Sequence, residues 1–318
     1  MRVLVTGGTG YLGRTVVRAL ATRGHDPVVF ARTARQSGLP GTLVDGDVRD
    51  RAALEGAARR CDAICHMAAL VSIWRRRRQD FDEVNVGGLE NVLAAAAAAG
   101  VGRIVYTSSF LALAPHGRSA PLEANDYQRT KVAADRLAGA AVGDGSPLIR
   151  IYPGVIYGPG SFTEGNLIGR LIADHLKGKL PGLVGPELPW SYAYVDDVAA
   201  GHCAAVERGA AAARYLLGGE NAPQQRVFEL VRQMTGRNVP RRIPFGVATA
   251  LGAAEELRVH LFGGTPLITR GTVDIFRHDW SLDSSAAVRD LAYSMTPLVN
   301  GIRRTLESMA PDSRTASP

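Results

Sequence analysis

Short apolar runs alternate, through the first half of the chain, with stretches in which apolar residues return every third or fourth position. Val3, Leu4 and Val5 form the first run and read as a buried strand. Val16, Val17 and Leu20 then recur at helical spacing within Arg14–Arg23, and Gly24 marks the stop. Further strands are expected over Pro27–Ala31 and Gly41–Val44, a short helix over Arg51–Arg59, and a fourth strand entered through Ala63–Cys65. A long helix is expected over Phe81–Ala99, ending in alanines and closed by Gly100 as a C-cap. Strand, helix and strand follow over Arg103–Tyr106, Tyr127–Ala141 and Pro147–Tyr152. This alternation predicts the α/β class, a doubly wound parallel sheet of the Rossmann type.

Past Gly158 the rhythm fades into proline, glycine and isolated helical pieces. Tyr192–Arg208 reads as a helix returning to the sheet and Arg214–Leu217 as a strand. The expected organisation is a nucleotide-binding domain over residues 1–160, rejoined by 191–217. A smaller, discontinuous C-terminal substrate lobe would take 161–190 and 218–309, and the polar stretch 310–318 is expected to be a disordered tail.

Composition narrows the class. Hydrophobic residues make up 46% of the chain, yet no uninterrupted apolar run is long enough for a bilayer. A first strand beginning at residue 2 leaves no room for a signal peptide, so a cytoplasmic protein without a membrane partner is expected. Three cysteines, Cys61, Cys65 and Cys203, lack metal-ligand spacing and form an odd set, which argues against a disulfide framework and a metal site. Lys and Arg number 37 against 30 Asp and Glu, a net charge of +7. The run Arg75–Arg78 is read as a solvated face or the entrance to an anionic pocket. No aromatics are interleaved with it, so nucleic acid is not expected as a partner.

Candidate chemistry lies in three places. Between the first strand and a helix starting near Tyr11 stands Thr6-Gly7-Gly8-Thr9-Gly10-Tyr11-Leu12-Gly13. Gly7 suits a tight turn, Gly10 a close approach to a pyrophosphate, and Gly13 close packing of helix on strand. The helix N-terminus would offer N–H groups to phosphates; a glycine turn without a ligand is the alternative. Tyr127 and Lys131, four apart, share one helix face, where the ammonium would pull the phenol's pKa down toward general acid/base use. An ordinary surface pair is the alternative. Thr107-Ser108-Ser109 ends the fifth strand, where Ser109 can donate to a developing oxyanion or simply form a turn.

Taken together these motifs resemble the extended short-chain dehydrogenase/reductases, the epimerase/dehydratase-like branch. The resemblance also rests, in order, on Gly46-Asp47-Val48-Arg49-Asp50, His66-Met67-Ala68-Ala69, Val84-Asn85-Val86-x-Gly88, Tyr106-Thr107-Ser108-Ser109, Tyr157-Gly158-Pro159-Gly160 and Tyr194-Val195-Asp196-Asp197-Val198. It implies that Asp47 and Val48 hold the adenine, and that Met67 and Ala69 line the phosphate and ribose path. Lys131 would hold the nicotinamide ribose, while Pro153 and Val155 back the nicotinamide. Tyr127 would pass the proton with Ser109 orienting the substrate oxygen. His66 is expected to be structural, and Asp196 and Asp197 to anchor a helix start against the sheet, consistent with capping.

Within the branch, Ser109-Phe110-Leu111-Ala112-Leu113-Ala114 carries no carboxylate pair, which speaks against a dehydratase. The segments Phe30-Ala31-Arg32 and Ile151-Tyr152-Pro153-Gly154-Val155 look more like relatives of dihydroflavonol 4-reductase. With Trp74 and Trp190 near the expected rim, the reading is a reductase of partly apolar ketones or aldehydes. A sugar-nucleotide epimerase with tightly held NAD and a catalytically silent cofactor sensor are the alternatives. No acidic residue stands between Val28 and Gly41, and Arg32 ends the second strand, so NADP(H) is the preferred cofactor with NAD(H) possible. The alanine-rich helix end would let another helix approach closely, and the resemblance implies that the long helix and the Tyr127 helix pair with their copies as a four-helix bundle. A homodimer is therefore expected; a monomer whose alanines pack on its own sheet is the alternative.

Overall fold

The computed structural model describes residues 1–309. The expected tail lies outside them. Its centre is a parallel sheet built from β1 (Arg2–Thr6), β2 (Asp26–Ala31), β3 (Thr42–Asp45), β4 (Ala63–His66), β5 (Ile104–Thr107) and β6 (Leu148–Pro153). Between these run α1 (Tyr11–Thr22), α2 (Arg51–Ala58), α3 (Gln79–Asp82), α4 (Gly88–Ala99) and α5 (Asp126–Gly143). Val3, Leu4 and Val5 are wholly buried because helices cover both faces of the sheet, which is why its strands read as continuous apolar runs. The chain then forms β7 (Val155–Tyr157), α6 (Leu167–Leu176), β8 (Leu183–Val184), β9 (Pro189–Tyr194), α7 (Val195–Arg208) and β10 (Arg214–Leu217). Strand β10 pairs with β6 and completes a seven-stranded sheet in the order β10-β6-β5-β4-β1-β2-β3. The doubly wound parallel sheet is the fold.

The remainder comprises β11 (Glu220–Pro223), α8 (Gln224–Thr235), β12 (Arg242–Ile243), α9 (Phe245–Phe262), α10 (Arg270–Ile275), α11 (Ser285–Leu291) and α12 (Leu298–Glu307). Two small sheets, β11-β9-β7 and β12-β8, gather a second apolar core around Phe110, Trp190, Phe228 and Trp280.

Three expectations are corrected here. Tyr192–Tyr194 is strand, because β9 pairs with β7 and β11, and the helix begins only at Val195. The long helix starts at Gln79 and carries a π-helical turn over Glu83–Gly87 before α4. Asp196 and Asp197 make no side-chain cap on α7. Asp197 instead accepts from the backbone N–H (2.6 Å) and hydroxyl (2.9 Å) of Thr296, tying the approach to α12 to the start of α7.

Candidate active site

The carboxyl ends of β1, β2, β4, β5 and β6 open on one cavity of about 1050 Å³, where ligands of doubly wound sheets sit. Gly7, Gly10, Tyr11, Leu12, Gly13, Arg32, Asp47, Val48, Met67, Ala69, Ser109, Tyr127, Lys131, Pro153 and Val155 all line it. The fold thus brings every candidate residue to one place.

At one end the glycine turn leaves no room for a side chain at Gly7 or Gly13. Gly7 has φ of 70°, and a Cβ there would lie 2.7 Å from the backbone of Ala68. A Cβ on Gly13 would collide with the Gly7 carbonyl. Gly10 is the N-cap of α1, with no side chain capping the helix and no carboxylate in its first turn. The amide end of α1 is therefore free for an anion. Arg32, exposed at the end of β2, has no carboxylate partner among the described residues. The neighbouring Arg35 is partly engaged by Asp45, 3.9 Å away. Asp47 is gripped by Arg49 (3.0 and 2.8 Å), which holds its carboxyl below the usual carboxylate range. An uncapped helix start, a glycine-rich turn and an arginine without an ion pair fit a phosphate-bearing dinucleotide.

At the other end the chemistry is held by a network. Asn125 caps α5 by accepting from the Gln128 N–H at 2.8 Å. Gln128 in turn donates to the Leu111 carbonyl (3.1 Å) and accepts from Ala124 N–H, joining the turn after Ser109 to the helix of Tyr127. Ser109 caps its own short helical turn, its hydroxyl accepting from the Leu111 N–H at 3.2 Å. The Lys131 ammonium, buried, donates to the Thr107 carbonyl at 3.0 Å. Thr107 is fixed from behind by His202. That ring's Nδ1 lies 2.8 Å from the Val198 carbonyl, which can only accept. Nδ1 must therefore carry the hydrogen, and Nε2 accepts from the Thr107 hydroxyl at 2.9 Å. Burial holds His202 down to about 4, so it is neutral. Asn85, within the π turn, donates to Thr130 (2.9 Å) and accepts from Leu70 N–H (2.7 Å), linking α5 to the loop beyond β4.

One electrostatic expectation is reversed. Burial pushes the Tyr127 phenol up to about 12, with the Ser109 hydroxyl pulling against it, and Lys131 does not lower it. The reason is geometric: the ammonium is turned to the Thr107 carbonyl and is itself pushed down to about 8 by burial. Tyr127 is a protonated phenol at neutral pH.

Phe110, Leu111, Trp190, Ile275 and Phe276 line the cavity beyond Ser109. Trp190 stacks on Phe276 with ring centroids 4.9 Å apart. Arg75 and Arg170 also reach the cavity, whereas Trp74 does not line it. Arg77 and Arg78 are spent on carboxylates, on Asp80 and Glu83 and on Asp126. His66 is structural: its Nδ1 lies 2.7 Å from the Thr6 hydroxyl, and burial holds its pKa down to about 3. All three cysteines are buried and free, and no metal-ligating cluster occurs among the described residues.

Sequence reasoning missed Thr107, Gln128 and Asn85 as positioning groups, although each stands inside a motif it singled out. His202 carried no signal, since it is 95 residues from Thr107 and meets it only through packing of α7 on the sheet.

The profile of the NAD dependent epimerase/dehydratase family matches residues 3–218. A sterol demethylase protein B of Methylococcus capsulatus is 35% identical over 258 residues, 76% of each chain. A putative dihydroflavonol 4-reductase of Synechocystis sp. is 30% identical over 306 residues, 90% of this chain and 88% of that one. The crystal structure of gox2253 superposes with a TM-score of 0.81 at 28% identity, covering 96% of this chain and 97% of the other.

Proposed function

This chain belongs to the NAD dependent epimerase/dehydratase family, and from that premise we propose that it is an NADP(H)-dependent reductase of ketones or aldehydes on small, partly apolar substrates. The observation that carries this reading is the wall formed by Phe110, Leu111, Trp190, Ile275 and Phe276 next to Ser109 and Tyr127. Such a wall rewards burial of apolar surface and offers few partners to the hydroxyls of a sugar. The reductase name of the Synechocystis relative supports it, and the sterol in the other relative's name is in line with a partly apolar substrate.

The Gly7–Gly13 turn, Arg32, Asp47 and Val48 would hold the nucleotide, and Lys131, Pro153 and Val155 its nicotinamide end. The cofactor supplies the hydride. Tyr127, protonated at neutral pH, gives its phenolic proton to the substrate oxygen, and Ser109 donates a hydrogen bond to that same oxygen. Gln128 and His202 act through others, the first joining the Ser109 turn to the Tyr127 helix, the second fixing the backbone that Lys131 grips. The preference for NADP(H) is supported by Arg32, which makes no ion pair among the described residues and can pair a 2′-phosphate in a forked geometry.

The test is direct. The purified protein should consume NADPH with a panel of aryl and alicyclic ketones and aldehydes, and bind it at least about tenfold tighter than NADH. Arg32→Asp should invert that ratio. Tightly retained NAD together with turnover of a nucleotide sugar would replace the reading with an epimerase.

A further inference from the structure

Of the ten large apolar side chains most open to solvent, six fall between Val247 and Leu267: Val247, Leu251, Leu257, Leu261, Phe262 and Leu267. Five of them stand on α9, where Val247, Leu251, Leu257 and Leu261, with exposed Ala250 and Ala254, follow helical spacing on one outward stripe. The buried face of α9 is small instead, consisting of Ala248, Gly252 and Val259. A soluble amphipathic helix is built the other way round. The stripe ends on a tip where Phe262 and Leu267 are each 82% exposed. Arg258, which interrupts it, is folded back on Glu255 (2.9 Å) and the Thr265 carbonyl (3.0 Å).

The surroundings are basic. Of the six arginines in residues 237–277, Arg242, Arg258 and Arg270 pair with Glu187, Glu255 and Glu256, and Arg237, Arg241 and Arg277 have no carboxylate partner among the described residues. The helix also borders the site. The backbone at Thr269 and Arg270 presses on Gly252, and α10 carries Thr272 and Ile275 into the cavity wall. On the β4 side of that cavity Arg75 and Arg76 are exposed without a carboxylate partner among the described residues.

We propose that α9 and the Phe262–Leu267 tip form a peripheral docking face for an anionic phospholipid surface, holding the substrate end of the cavity next to lipid. The 18 residues of α9 would lie in the plane of the interface, apolar stripe inward and arginines at the headgroups. No helix among the described residues is long and apolar enough to cross a membrane, so the association is interfacial. A second copy of the chain is the poorer occupant, because two arginine-rich rims would face each other, whereas anionic headgroups supply the missing countercharge. The benefit to catalysis rests on the apolar-substrate reading; the docking itself does not. The expectation of no membrane partner looked only for a spanning stretch, and an interfacial helix makes none.

Vesicle flotation tests this without any enzyme assay. The full chain should float with vesicles of phosphatidylcholine containing about one-third phosphatidylglycerol, poorly with phosphatidylcholine alone, and less as salt is raised. The triple variant Leu261→Ser, Phe262→Ser, Leu267→Ser should bind at least about tenfold more weakly with its melting temperature retained, since these side chains touch solvent. Failure of the wild type to float, or equal binding by the variant, overturns the proposal. So does self-association of the wild type in lipid-free buffer that the variant abolishes, which would make this face an interface between copies.

Discussion

Tyr127 borders the cavity as a phenol that burial holds up to about 12, and its neighbour Lys131 as an amine that burial holds down to about 8. The two shifts set the expected pH behaviour. Tyr127 keeps its proton throughout the working range, so the alkaline limb belongs to Lys131. Carbonyl reduction should be level at neutral pH and fall, up to about tenfold per pH unit, above about 8 as the ammonium is lost. Lys131 would not unfold the protein there. With a folded pKa below that of a free lysine, the unfolded chain binds more protons between the two values, and this residue's contribution to stability rises with pH in that window. A rate that falls while the denaturant midpoint holds is therefore the signature. Tyr127→Phe should remove nearly all turnover, at least about a thousandfold, while NADPH affinity stays within a few fold, because the phenol acts only as charge develops on the substrate oxygen. Substantial turnover in that variant would end the proton-donor assignment.

The β1–turn–α1 element separates a glycine needed by the fold from one needed by a ligand. A Cβ on Gly13 meets the Gly7 carbonyl and Gly8 backbone, which cannot swing aside. Gly10 has extended backbone angles, and a Cβ there meets only the Gly7 carbonyl, at 3.2 Å, which a shift of a few tenths of an ångström relieves. Gly13→Ala should thus cost about 1–3 kcal/mol of stability. Gly10→Ala should leave the melting temperature nearly unchanged and weaken nucleotide binding at least about tenfold. Denaturant titration and isothermal titration calorimetry on both variants decide it. This element was legible because strand, turn and helix are contiguous and each signal is local. Strand β9 was not: its pairings with β7 and β11 involve a few residues brought together from distant parts of the chain. Read locally, Tyr192–Tyr194 simply extended the apolar spacing of α7. The Tyr127–Lys131 pair was found by spacing, but its electrostatics were not, since the carbonyl that takes the ammonium belongs to β5.

Across the molecule the central sheet followed from alternation alone, while the small sheets and the outward stripe of α9 did not. Short strands carry too little periodicity, and a helix with small residues inward and large ones outward gives a period without saying which face is buried. The same limit applies to α4. Ala95 and Ala96 are buried, whereas Ala97 and Ala98 are exposed at the end of α4. On α5 the exposed Ala140 and half-buried Ala133 offer small positions beside the half-buried Leu137 and exposed Arg136. We propose that these two faces meet their copies across a two-fold axis as a four-helix bundle. Small side chains let helix axes approach to about 8 Å, so a modest area can pack densely. Sedimentation equilibrium at micromolar concentration should give twice the 33.8 kDa chain mass. Ala97→Glu with Ala98→Glu should return it to a single chain with its fold intact, because both side chains point to solvent in the protomer. The Ser triple variant of the α9 tip should remain dimeric. A wild-type mass near one chain would leave the alanines as packing for a monomer and remove the bundle.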